Sequence, residues 1–338
     1  MASSPSNPDP AKAGPSGVIA IVGDVHGHLQ LALCMLARWQ VRLGVRFEAV
    51  FLAGDVGTFT EYPQLDSATL SHAKNNPCEL EFLQQWAVHP QAPWLARIFE
   101  PAAPDGDGLG LTCPVVMVHG NHEGFAHLET LFPRRRPAEP VPADQLRGVD
   151  SAEFIRYLPS GWKTVTPSGL IVAGLGGMER GQRRAAKYHP MAFIDDSAVE
   201  ALLDGGKVDV LVTHQGPSLV QGQEGSPTLD VLLEEEVARA WFHGHGTPNP
   251  VPAHGGRNGM CLVVPLGDIA FPGRGRNAND PGLYGWSYLT FRNGAPVAVK
   301  ETPPFWRDLR RHHWAQADDG RLVAPDLARF LWPTRGQA

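Results

Sequence analysis

Residues 18–27 read Val18-Ile19-Ala20-Ile21-Val22-Gly23-Asp24-Val25-His26-Gly27, and the fold is decided here. Five apolar, mostly β-branched residues in a row describe a strand buried on both faces, because a parallel strand covered by helices has no solvent side to alternate with. Gly23 ends the run, and Asp24 and His26 follow at its carboxyl end, where open α/β sheets bind their ligands. A carboxylate and an imidazole two residues apart make half of a divalent-metal site.

Moving outward, His28 to Leu43 places Leu29, Leu33, Leu36 and Gln40 at helical spacing before Gly44, which predicts a helix. Ala49 to Ala53 is a second apolar strand, and it also runs into Gly54-Asp55. Residues 58–76 are polar and irregular, as expected of a long loop over a site, and Glu79 to His89 predicts a helix. Pro114 to Val118 predicts a third strand, ending in His119-Gly120-Asn121-His122-Glu123, with a helix to Leu131 and an irregular Pro- and Arg-rich stretch beyond. Leu170 to Ala173, Val208 to Val212 and Ala240 to Phe242 predict three more strands. The last two end in Thr213-His214 and His243-Gly244-His245, and later strands are expected at Met260 to Leu266 and Ser287 to Phe291.

Buried strand, glycine, metal-type side chain is thus a recurring unit. It brings Asp24, His26, Asp55, Asn121, His214 and His245 forward as candidate ligands. A lone histidine is more often a structural residue, but the repetition with mixed Asp, His and Asn types suits Mn, Fe or Zn better than calcium.

The bulk properties narrow the function classes. The 338 residues hold 35 acidic against 29 basic side chains, for a net charge of −6, which argues against a strongly basic nucleic-acid binder. Cys34, Cys78, Cys113 and Cys261 form no metal clip or disulfide framework, so a reducing cytoplasm is the expectation. No apolar run reaches the ~18 residues of a membrane helix. Residues 1–17 are rich in Ser, Pro, Ala and Gly and lack the apolar stretch of a signal peptide, and they read as a disordered tail. One catalytic domain is expected over 18–300, with a C-terminal extension over 301–338 that mixes aromatics and charges.

In this order, GDVHG, GDVG, GNHE, TH and GH resemble the motifs of the calcineurin-like metallophosphoesterases. The resemblance implies an α/β fold of the four-layer αββα sandwich type, with mixed sheets and the site at the strand carboxyl ends. It implies two divalent metal ions and hydrolysis of a phosphate-ester substrate by an activated water. Asp24 and His26 would hold the first metal, Asp55 would bridge both, and Asn121, His214 and His245 would hold the second. His122 matches the histidine that contacts the phosphate and assists the leaving group.

Two departures stand out. Many relatives end in Gly-His-x-His, whereas here Gly244-His245-Gly246-Thr247 follows His243. Either the first metal keeps a water in place of a protein ligand, or His243 is recruited. Many relatives also carry GDxxD, whose last Asp supports the catalytic histidine, and Thr58 stands there instead.

Within the superfamily, GNHEGFAHLETL, AGLGGMERGQRRAAKYH and VDVLVTHQGPS are similar to the RNA lariat debranching enzymes, which usually carry cysteine where this chain has Asp24. That likeness implies a phosphodiesterase acting on a nucleotide or RNA. Two other readings are a phosphomonoesterase of the serine/threonine phosphoprotein phosphatase type, whose GDxVDRG pattern is missing here, and a noncatalytic interaction protein on the same fold. Arg180, Arg183, Arg184 and Lys187 are candidates for holding nonreacting phosphates, or else a solvated face. Glu234, Glu235 and Glu236 read as an exposed helical face, and Trp94, Trp162, Trp241 and Trp286 as core.

Overall fold

The computed structural model describes residues 17–91, 93–102, 108–131, 135–181, 188–221, 224–246, 252–271, 284–292, 295–303, 306, 315–316 and 322–323. Arg183, Arg184 and Lys187, nearly all of the 1–17 segment and most of 301–338 lie outside the described residues.

Two mixed sheets carry the fold. The first six-stranded sheet comprises β1 (Ile19–Val22), β2 (Ala49–Leu52), β3 (Val115–Met117), β5 (Ile155–Tyr157), β12 (Trp286–Arg292) and β13 (Ala295–Lys300). Their order is β13-β12-β1-β2-β3-β5, with β1, β2, β3 and β5 parallel and β12 antiparallel to β1. The second comprises β4 (Val141–Pro142), β6 (Lys163–Val165), β7 (Ile171–Leu175), β8 (Val208–Thr213), β9 (Ala238–His243), β10 (Ala253–Gly255) and β11 (Cys261–Pro265). Here β7, β8, β9 and β11 are parallel, so their carboxyl ends share one rim.

The side-chain alternation of β1 explains the layering. Ile19 and Ile21 join Phe51, Val116, Val172, Val210, Val212, Phe242 and Val264 in a core between the two sheets. Ala20 and Val22 face the other way, with Val50, Leu52, Val115 and Met117, against helix α1 (Leu29–Leu43). On the far side of the second sheet, Ala173, Leu211, Trp241 and Val263 pack with Val199, Leu202, Leu229 and Leu232. Those last four belong to two helices, Asp196–Asp204 and Pro227–Glu234. The order is therefore helix, sheet, sheet, helix, the expected αββα sandwich. Each such apolar side chain taken fully out of water contributes about 1.5–3 kcal/mol, which holds the strand ends in register.

α1 starts after Gly27 and stops at Gly44, whose φ of 66° is the left-handed cap that favours glycine. Its first turn is capped from outside: the Glu81 carboxylate accepts from Gln30 N at 2.8 Å and from Trp86 Nε1 at 3.0 Å. Burial pushes the Glu81 carboxyl up to about 8, and these two donors only partly offset it.

Several expectations need correction. The 58–76 segment is not wholly irregular, because Asp66 caps a short helix, α2 (Ser67–Ala73), by accepting from Thr69 N at 2.7 Å. Glu79 to His89 is not one helix. A 3₁₀ turn at Pro77–Leu80 passes into a π-helical turn at Phe82–Trp86, and this turns Glu81 and Gln85 inward onto Gln30. Glu236 is buried rather than on a helical face, and its carboxylate accepts from Asn258 N, Asn258 Nδ2 and Met260 N. Strands β4, β5, β6, β10 and β13 were not expected. Trp162, Trp241 and Trp286 are core as read, whereas Trp94 is half-buried and packs against the core from outside. The C-terminal extension begins by packing back, with Trp306 buried against the α1 side and its Nε1 donating to Ala270 O.

Candidate metal centre

Asp24 follows β1, Asp55 follows β2, Asn121 and His122 follow β3, His214 follows β8 and His245 follows β9. The sandwich brings these ends to one place. Ligand atoms of Asp24, Asp55, His214 and His245 all lie within 4.8 Å of one another, and so do those of Asp24, His26 and Asp268.

The glycines of the recurring unit have a steric cause. A Cβ on Gly120 would sit 2.0 Å from Asp55 Oδ1, and one on Gly244 would sit 1.9 Å from Asp24 Oδ1. The glycine before one candidate ligand makes room for the side chain of another. His26, Asp55 and His245 themselves have φ of 43°, 47° and 48°, a region costly for non-glycine residues and found chiefly where surrounding structure imposes it.

Backbone donors from one strand end fix the side chain of the next. Asn121 N and His122 N donate to Asp55 Oδ1 at 2.8 and 2.9 Å. His245 N donates to Asp24 Oδ2 at 3.0 Å. The other oxygen of Asp55, Oδ2, lies 3.7 Å from His26 Nε2, while Oδ1 lies 3.6 Å from His214 Nε2. Its two oxygens thus face different imidazoles, one His26 and the other His214. Glu123, the last residue of GNHE, ties the loops together: it accepts from Val56 N, Thr58 N, Thr58 Oγ1 and Gly120 N.

Electrostatics argue for cations. Burial, then the Asp55 charge, push the Asp24 carboxyl well above the usual carboxylate range. Burial opposes ionisation of Asp55 too, but the imidazoles of His214, His26 and His122, while they carry a proton, and the His122 N–H outweigh it and hold that carboxyl low. Burial lowers His214 to about 3 and also lowers His245, so both imidazoles are neutral, the form that ligates. His214 Nδ1 donates to Ala53 O at 3.0 Å, which turns its Nε2 lone pair toward Asn121 Oδ1 at 2.9 Å and toward Asp55 Oδ1. Three acceptors converge there, an arrangement that a positive ion stabilises. The donor set fits divalent cations.

His122 has its own partner. Asp66 Oδ2 accepts from its Nδ1 at 2.8 Å. Burial would lower the His122 pKa, but the bond to Asp66 and the charge of Asp55 raise it to about 9. The Asp missing at position 58 is therefore supplied from the next segment, while Thr58 is buried on Glu123.

The remaining candidates lie elsewhere. The ring of His243 packs against Gly216, its Nδ1 donating to Gly244 O at 3.1 Å, and it belongs to neither ligand group. Arg180 sits with its guanidinium 5.1 Å from the Phe193 ring centroid, lining a cavity of about 540 Å³ with His119, Ser160 and Met191. Sequence reasoning passed over Asp66 and Asp268. Asp66 carried only a helix-capping signal. Asp268 carried the full signal, since Gly267-Asp268 follows strand β11 as Gly23-Asp24 follows β1.

The family model for calcineurin-like phosphoesterases matches residues 17–246, more than half of the chain. The chain belongs to the calcineurin-like phosphoesterase family. No curated protein sequence matches it significantly. Among solved structures it is similar to TT1561 of Thermus thermophilus, at 14% identity over 84% of this chain and 99% of that one, with a TM-score of 0.43. It is also similar to a protein described as a novel phosphatase from Mycoplasma pneumoniae, at 10% identity over 89% and 99%, with a TM-score of 0.39. Membership makes the protein a metal-dependent phosphoesterase in general terms, with Asp24, Asp55, His214 and His245 as a candidate ligand cluster. Among the described residues no helix is long and apolar enough to cross a membrane.

Proposed function

We propose that this calcineurin-like phosphoesterase is a phosphodiesterase acting on a nucleotide or nucleic acid. Asp24, His26 and Asp55 would hold one cation, and Asp55, Asn121, His214 and His245 a second. The observation that carries this reading is the His122–Asp66 pair beside the ligand cluster. A phosphate ester, diester or monoester, expels an alkoxide, which leaves readily only if a proton reaches it as the P–O bond breaks. Asp66 takes Nδ1–H of His122, so Nε2 is the nitrogen left to serve the substrate, and the two carboxylates keep that ring protonated near neutrality. Divalent cations bound beside it would polarise the phosphoryl oxygen and lower the pKa of water towards about 7.

The charge pattern favours a diester over a monoester. The groups acting most strongly on the ligands are carboxylates and histidines, not Lys or Arg. Where the phosphoprotein phosphatase branch carries acidic and basic residues, Thr58 and Phe59 are buried. A monoester dianion calls for such an added cation, and a singly charged diester needs it less. The likeness of residues 120–131 to RNA lariat debranching enzymes bears on ancestry more than on substrate, because Asp24 stands in place of their cysteine. Arg180 is the described member of the basic cluster that would take up nonreacting phosphates.

The test compares Mn-loaded protein on bis-p-nitrophenyl phosphate and p-nitrophenyl phosphate, and the parent with His122→Ala on a dinucleotide, whose leaving group is an alkoxide. The expected result is faster hydrolysis of the diester, and a fall of about 10²–10⁴-fold on the dinucleotide in His122→Ala with its metal content unchanged. Faster hydrolysis of the monoester, or a His122→Ala variant as active on the dinucleotide as the parent, would overturn the proposal.

A further inference from the structure

The two candidate ligand sets are unequal, and the inequality points to Asp268. Its backbone is clamped against the end of β1. Ile269 N donates to Asp24 O at 2.7 Å, Leu266 N donates to His243 O at 2.7 Å, and Gly267 N donates to Tyr284 O at 3.0 Å. Gly267 O comes so near that a Cβ on Gly23 would lie 2.0 Å from it. The strand end after β11 is thereby locked onto the strand end that carries Asp24 and His26. The Asp268 side chain is half-buried, and one of its oxygens lies within 4.8 Å of ligand atoms of both Asp24 and His26. No comparable convergence involves His243, whose ring packs on Gly216.

We infer that Asp268 is a protein ligand of the first cation site and makes that site rich in oxygen donors. This rests on the binuclear reading above. Thr247 stands where the family's Gly-His-x-His pattern has its second histidine, so a carboxylate from another strand end takes the place of an imidazole. The first set then contains Asp24, Asp55 and Asp268 with a single imidazole, His26. The second contains Asp55 and the Asn121 amide with two imidazoles, His214 and His245. Carboxylate oxygen suits Mn and imidazole suits Zn, so the first site favours Mn relative to the second.

The experiment counts Mn²⁺ by equilibrium dialysis of the full chain and records the electron paramagnetic resonance spectrum of the loaded protein. The parent protein is expected to bind two Mn²⁺ with a spin-coupled spectrum. In Asp268→Asn one ion should remain tight and the other weaken on the order of 100-fold, because loss of even an outer partner of a ligand costs about 10–100-fold. The coupled spectrum should give way to that of isolated Mn²⁺. In Asp268→His two ions should bind, with the Zn/Mn preference of the weaker site raised about 10-fold over the parent. Two equally tight Mn²⁺ in Asp268→Asn would overturn the inference and leave the binuclear reading standing. Fewer than two Mn²⁺ in the parent protein would overturn both. If Asp268→Asn does not fold, Asp268→His decides: a parental Zn/Mn preference would overturn the inference and a raised one would support it.

Discussion

On one side of the site, five strand ends deliver Asp24, Asp55, Asn121, His214 and His245 from buried β-structure; on the other, a single polar segment swings Asp66 onto His122. The Asp24 and Asp55 side chains are fixed by backbone donors from neighbouring strand ends, and Asp24, Asp55, Asn121 and His214 are buried. Asp66 is a third exposed in its side chain and held by Thr69 N and His122. The contrast separates two tasks. On the proposed reading, places for cations need a cage that does not relax, whereas a proton donor at His122 would be oriented by one hydrogen bond from the residue that caps a short helix.

If the division is real, damage on the strand-end side should abolish both metal binding and turnover. Asp55→Asn keeps an oxygen to accept Asn121 N and His122 N but removes the charge facing both sides of the site. It should lower kcat/KM on the order of 10³-fold or more and release Mn²⁺, since neither cation retains its shared carboxylate. Retention of two Mn²⁺ in that variant would break the comparison.

Damage on the loop side should touch turnover alone. Asp66→Asn is expected to lower kcat about 10–100-fold with two Mn²⁺ still bound. Its pH profile carries the sign. Asp66 together with Asp55 raises the His122 pKa to about 9, so without the Asp66 charge the ring gives up its proton at lower pH, and the alkaline limb of activity should move to lower pH. An unmoved limb would mean that Asp66 does not act through His122.

Away from both regions, Glu81→Gln should leave kcat unchanged and alter only stability. Burial raises the Glu81 carboxyl from its usual value to about 8, so the folded chain binds a proton that the unfolded chain has lost. Stability is then full below about pH 4.5 and falls as pH rises towards 8, by a few kcal/mol. Gln keeps the acceptor for Gln30 N and Trp86 Nε1, and denaturant unfolding of the variant should be flatter across pH 5–8.

The same contrast explains what could be read from the amino-acid sequence. Ile19 to Val22 and Ala49 to Leu52 are legible because strands covered on both faces must be continuously apolar, and Gly120 and Gly244 are legible because another ligand occupies the space of their Cβ. Nothing in the spacing of Asp66 links it to His122. It lies in a polar stretch, and only the path of that stretch over the site joins the two. Strands such as β5 and β6, as short as β3 but holding Arg156 and Lys163 among their three residues and only partly buried, lack the continuous apolar run that marks β3. Asp268 shows the opposite failure: Gly267-Asp268 repeats the strand–glycine–aspartate unit, but its place beside Asp24 depends on how β11 is docked.

The most direct test of the central claim is a crystal structure of the Mn-loaded chain with anomalous scattering recorded for Mn. The account predicts two peaks about 3.5–4 Å apart, both touching Asp55, one also bound by His26 and the other by Asn121 and His214. A single peak, or two peaks with Asp55 bound to neither, would contradict it.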